Sequence, residues 1–191
     1  MIVAFSTSSP LASVAVLDNE GVVLASGEEW APMAASGTCL TLLKGLFQHL
    51  DVDITSVELF LSDLGPGSFT GVKVGITLAK TLAFAQGKQV GGAQSFDLID
   101  PLGVVVLPSK RGEWFVRELG KEPHRQTELP PTPFSGYGGD LENPTYPRAE
   151  RFAQLVKGIR RSRPEDLLPE YLIEPSISVP KKPYSTPGQK S

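Results

Sequence analysis

Apolar and polar positions alternate in blocks that mark out the first hundred residues. Ile2-Val3-Ala4-Phe5 is an apolar run, closed by the turn-rich Ser6-Thr7-Ser8-Ser9-Pro10. Ser13 to Leu17 is a second run and Val22 to Gly27 a third, joined by Asp18-Asn19-Glu20-Gly21. Short apolar runs separated by tight polar turns predict an antiparallel three-stranded meander. Apolar residues at Cys39, Leu42, Leu43, Leu46 and Phe47 then follow the 3.6-residue period of a helix. Val57 to Ser62 predicts a fourth strand, which, entered after a crossover helix, runs parallel to the first.

The next segment is Leu64-Gly65-Pro66-Gly67-Ser68-Phe69-Thr70-Gly71-Val72-Lys73-Val74-Gly75-Ile76. A strand ends, a Gly-Pro-Gly turn follows, and a helix begins near Ser68, with Ser68 or Thr70 as N-cap. The helix runs to Gln86, where Gly87 stops it. Gln89 to Ala93 is a fifth strand. Three strands, helix, strand, helix, strand is half of an actin-like, ribonuclease H-like α/β domain. Within the second helix Gly71, Gly75, Ala79 and Ala83 recur every four residues, a stripe without bulk that another backbone can approach closely. Phe69, Val72, Ile76, Leu78, Leu82 and Phe84 make most of the rest apolar, and only Lys73, Thr77 and Lys80 form a clear polar edge. A helix apolar nearly all round is covered on more than one side. Its own sheet supplies one cover. The other is either the second half of the chain or, the reading favoured here, another chain packed on the stripe. On that reading Gly75→Leu abolishes a partner complex and leaves the monomer folded.

Composition divides the chain near Asp100-Pro101. Residues 1–100 carry 4 Lys/Arg and 10 Asp/Glu, whereas residues 101–191 carry 14 and 11; prolines number 3 and 14. The expected organisation is an N-terminal subdomain over 1–100, a looser C-terminal subdomain over 101–179, and a tail over 180–191. Val104 to Leu107 and Glu113 to Arg117 read as strands, Arg151 to Ile159 as a helix, and 120–147 as largely loop. A net charge of -3 argues against gripping nucleic acid alone. The lone Cys39 fits a reducing, cytoplasmic setting. No apolar stretch suggests a membrane span, and the N-terminus lacks the basic leader of a signal peptide.

Catalytic patterns fail one by one. The glycine-rich turn fits neither the Walker spacing nor Gly-x-Gly-x-x-Gly, because Thr70 stands at the third glycine. Ser68 lacks the Gly-x-Ser-x-Gly elbow, with Pro66 and Thr70 at the glycine positions. His49 and His124 read as solvated surface residues. None of Asp51, Asp53, Asp97 or Asp100 suggests an acid pair, and no metal-ligand spacing is present. The expectation is therefore no catalytic residue, no cofactor and no metal, which points to a binding or scaffold role.

The segment Gly65 to Ile76 resembles the signature of the TsaB (YeaZ) family of tRNA threonylcarbamoyladenosine biosynthesis proteins, once described as glycoprotease-like. The order of elements agrees over about residues 1–118, and Pro169-Glu170-Tyr171-Leu172-Ile173 looks like the family's closing Pro-x-Tyr-Leu segment. The resemblance implies an actin-like (ASKHA) fold of two subdomains, here with a shortened second one. It implies a non-catalytic subunit that forms a heterodimer with a TsaD-like catalytic paralogue, cooperates with a TsaE-like ATPase, homodimerises when alone, and meets tRNA only within the complex. The alternative is an ASKHA-fold nucleotide-binding enzyme or a peptidase.

The interface implied lies on the first helix (about Ser36–His49) and the signature helix (about Ser68–Phe84): Leu42, Leu43, Leu46, Phe69, Gly71, Val72, Gly75, Ile76, Ala79, Leu82 and Ala83. The signature loop is Gly65, Pro66, Gly67, Ser68 and Thr70. Three departures stand out. Ser6-Thr7-Ser8 replaces the family's usual Asp-Thr-Ser/Ala, Ala35-Ser36 replaces a His-Ser or His-Thr pair, and the second half is short. The basic cluster Lys157, Arg160, Arg161 and Arg163 reads as a solvated helix end rather than a contact for tRNA.

Overall fold

The computed structural model describes residues 1–110, 112–139 and 141–172. The expected tail over 180–191 and the final residue of the closing segment, Ile173, lie outside the described residues.

Strands β1 (Ile2–Ser6), β2 (Leu11–Leu17), β3 (Val23–Trp30), β4 (Leu59–Asp63) and β5 (Gln89–Ala93) form one sheet in the order β3-β2-β1-β4-β5. The first three are antiparallel neighbours, whereas β1 pairs parallel with β4 and β4 with β5. Helices α1 (Ala35–Leu50) and α2 (Phe69–Gln86) are the crossovers, and both pack on the same face. Beneath them Val3, Phe5, Val14, Val16 and Phe60 form the larger core with Cys39, Leu43, Val72, Ile76, Ala79 and Ala83. All five residues of β1 and of β4 are buried. Central strands covered on both faces read as continuous apolar runs, which is why the sequence locates them well.

The opposite face carries Ile2, Ala4, Ala15, Leu17, Leu59 and Leu61, and its cover comes from the far end of the chain: Ala149, Phe152 and Val156. The helix expected over Arg151 to Ile159 is broken up. It consists of a 3-10 turn at Ala149–Arg151, a single α turn α3 (Phe152–Leu155), and another 3-10 turn at Val156–Gly158. Short 3-10 pieces are common where only a few side chains anchor a segment. Beyond them Ser162 exchanges backbone hydrogen bonds with Val90 (3.0 and 2.8 Å) and closes the β5 edge.

The second sheet has the order β8-β7-β6-β9, from β6 (Val105–Pro108), β7 (Trp114–Arg117), β8 (His124–Gln126) and β9 (Ser135–Gly136). The last two fall in the segment expected to be largely loop, and at three and two residues they are too short to show a period in sequence. A smaller core of Phe96, Ile99, Val105, Leu107, Phe115 and Tyr137 fills this half. No helix among the described residues is long and apolar enough to cross a membrane.

Candidate functional site

The signature loop connects β4 to α2 at the mouth of the cleft between the two sheets. Ser68 is the N-cap: its hydroxyl accepts from Gly71 N at 3.2 Å. Its own N–H donates to the Ser8 carbonyl at 2.7 Å, tying the helix start to the end of β1. Gly65 has φ +92, a conformation open to glycine and costly for other residues. At Gly67 a Cβ would sit 2.4 Å from Ser8 O, so only glycine allows this approach.

The small-residue stripe of α2 faces inward. A Cβ on Gly71 would lie 2.0 Å from the Thr7 carbonyl oxygen, and one on Gly75 would lie 2.6 Å from Thr7 Oγ1 and 2.9 Å from Ser62 Oγ. Thr7 Oγ1 donates to the Gly71 carbonyl at 2.8 Å across this contact. Ala79 and Ala83 are wholly buried in the main core, and Leu43, Val72 and Ile76 nearly so. What approaches the stripe closely is therefore the chain's own Thr7, just past β1, and Ser62 of β4. This corrects the expectation that another chain packs on Gly71, Gly75, Ala79 and Ala83. Leu43, Val72 and Ile76 are likewise unavailable to a partner, and Gly75→Leu would disrupt the monomer itself.

What the helix pair shows to solvent is different. Leu42 and Leu46 are half-buried over β3, where Gly27 leaves them room. Leu82 is half-buried, and it lines a groove with Leu40, Leu43, Phe47, Val52 and Ile54 between α1 and the C-terminal end of α2. Leu40 is 47% exposed and Phe84 79%. On α1, Gly37 and Gly45 are exposed, and a Cβ at either would meet nothing within 4 Å. Phe69 stands apart from this groove. It stacks on Tyr171 with ring centroids 5.5 Å apart and carries Lys73 Nζ 3.9 Å above its ring.

Under the cleft lies a buried polar cluster that sequence reasoning missed. Asp63, the last residue of β4, is fully buried. Gly65 N–H (2.9 Å) and the Ser95 hydroxyl (2.6 Å) donate to its Oδ1. The hydroxyls of Ser6 (2.9 Å) and Ser8 donate to its Oδ2. Burial pushes the carboxyl above the ordinary aspartate value, and the four donors pull the other way. The signal was a lone acid ending an apolar strand, with only Leu64 between it and Gly65-Pro66-Gly67. Both carboxylate oxygens are already occupied by this chain's own donors, so Asp63 does not present a free oxygen to a metal. Among the described residues no group of three or more His, Cys, Asp or Glu is placed to hold one.

The cleft above has a volume of about 470 Å³, walled by Ser8, Gly67 and Ser68 on one side and Ser109, Tyr137 and Tyr146 on the other. Tyr137 OH crosses it to donate to the Ser8 carbonyl at 3.2 Å. His49 and His124 are exposed and remote from it, as expected of surface residues. In the basic cluster, Lys157, Arg160, Arg161 and Arg163 are all exposed, and Arg163 pairs with Glu165 and Asp166, each at 3.3 Å.

Three kinds of similarity bear on this arrangement. A family model described as TsaD, tRNA N6-adenosine threonylcarbamoyltransferase, matches residues 31–99, which contain both helices and the signature loop. The tRNA threonylcarbamoyladenosine biosynthesis protein TsaB of Bacillus subtilis (strain 168) is 29% identical over 119 residues. That match covers 59% of this chain and 52% of the relative, so the chain spans about half the length of the curated protein it matches. Two solved structures superimpose on 90% of this chain and 99% of their own, each at 21% identity. One is described as a protein with similarity to peptidase YEAZ from Pseudomonas aeruginosa (TM-score 0.75), the other as YeaZ from the same organism (TM-score 0.70). The resemblance to the TsaB (YeaZ) family holds, and the mixed α/β fold class expected from the sequence is the one observed, in the fold of the two YeaZ structures.

Proposed function

We propose that this chain, similar to TsaB in sequence and to YeaZ in fold, serves tRNA N6-threonylcarbamoyladenosine biosynthesis as a non-catalytic subunit. On this reading it docks a TsaD-like catalytic paralogue through the outer face of its helix pair and works beside a TsaE-like ATPase. It homodimerises on the same face when alone and meets tRNA only as part of the assembly. The observation that carries the reading is the exposed surface of α1. Glycine inside a helix costs about 1 kcal/mol relative to alanine. Gly37 and Gly45 bear this cost although nothing in the monomer excludes a side chain there. With Leu40 exposed one turn from Gly37 and Leu82 across the groove, this face is suited to a closely packed helix from another chain. Asp63, whose oxygens are saturated internally, supports the non-catalytic part.

The test is co-purification with the TsaD-like protein of the same cell. Leu40→Glu and Gly45→Arg, both on exposed positions, should each abolish the complex and leave the circular dichroism spectrum unchanged. Retention of the complex by both variants overturns the docking face. Tight binding of ATP and Mg²⁺ by the isolated chain in calorimetry would instead favour the nucleotide-using alternative.

A further inference from the structure

The Asp63 cluster touches more of the molecule than its own loop. Its four donors come from the ends of β1 (Ser6, Ser8), from the signature loop (Gly65) and from the segment after β5 (Ser95). One of these donors, Ser8, reaches onward through its own backbone. Ser6 Oγ lies 3.1 Å from the Pro147 carbonyl oxygen, but its single proton is given to Asp63. The Ser8 carbonyl accepts from Tyr137 OH in the second half (3.2 Å) and from Ser68 N–H at the start of α2 (2.7 Å). One residue thus meets the helix on one side and the second sheet on the other, and its side chain is fixed by the buried carboxylate.

We propose that Asp63 is a positioning residue: through Ser8 it holds the start of α2 and the inner wall of the second half as one unit, so that the cleft and the helix end loosen together or not at all. No described cation faces it; the buried carboxyl is held by hydrogen bonds from three hydroxyls and one amide. A buried network of this kind is stiff when complete and fails as a whole when one member is lost. The inference goes beyond the docking reading and is tested on the free chain, so the failure of one leaves the other standing.

Hydrogen–deuterium exchange of the full chain reads it directly. Ser8→Ala removes one donor and keeps the backbone carbonyl and the carboxylate. Exchange should rise about tenfold or more, as expected when a buried acceptor is left unsatisfied, in both 66–72 and 135–147, with 40–50 in α1 unchanged. Loosening of only one of the two segments, or of the whole chain uniformly, overturns the proposal. The exchange of roles between neighbours supplies a rescue. Asp63→Ser should loosen both segments, and adding Ser6→Asp, which returns one carboxylate to the same cluster from β1, should restore both. A folded double variant that leaves both segments loose overturns it as well. If Asp63→Ser alone does not fold, Ser8→Ala and the double variant decide.

Discussion

Glycine is the residue whose meaning changes most between sequence and structure. Gly71 and Gly75 look like the floor of an intermolecular contact, and they are instead the places where α2 meets the ends of β1 and β4. Gly71→Ala should cost about 1–3 kcal/mol or more in stability, the usual penalty for overpacking, because its Cβ would meet the Thr7 carbonyl, which cannot swing aside. Gly75→Leu should give no soluble folded chain. Chemical denaturation of the alanine variant and expression of the leucine variant check both outcomes.

The two helices show why period alone misleads at the scale of an element. In α2 the small stripe faces protein together with Val72, Ile76, Leu78 and Leu82, and the exposed ridge is Thr70, Lys73, Thr77, Thr81 and Phe84. In α1 only Cys39 and Leu43 are fully buried, so the exposed glycines and Leu40 lie on a face the apolar period does not mark. Gly45→Ala separates intrinsic stability from docking. It should raise the monomer's stability by about 1 kcal/mol, since the added methyl meets open space and favours the helix. A melting curve of the monomer measures this independently of any partner. The turn before α2 leaves Ser68 or Thr70 as its N-cap in sequence, and the structure selects Ser68, whose hydroxyl accepts from Gly71 N–H.

At the scale of the whole molecule, the buried Asp63 couples stability to pH. The folded-state pKa of Asp63 lies above the ordinary 3.8 because of burial, so the folded chain binds a proton that the unfolded chain releases. Stability therefore falls as pH rises from 3.8 through the raised value, and Asp63→Asn should flatten that slope in denaturant titrations at a series of pH values. Cys39 reports the same global event. Buried in the main core, its thiol is pushed up to about 12, so alkylation at pH 8 should be negligible in the native chain and follow unfolding.

The sequence by itself determined the antiparallel meander of the first sheet, the parallel setting of its fourth strand, both crossover helices, a start of α2 at Ser68 or Thr70 and the stop at Gly87. Those features rest on local patterns: buried central strands are continuously apolar, and caps and turns use few residue types. The signature loop was legible for the same reason, since it is contiguous. Tertiary structure alone decided which side of α2 is inside, because a stripe of small residues reads the same whether the close backbone is the chain's own or another's. It alone gathered Ser6, Ser8, Asp63 and Ser95, which lie on three different strand ends and share no spacing. It also sent Ala149, Phe152 and Val156 back to cover the first sheet, a pairing that depends on the path of the whole chain and on no local period.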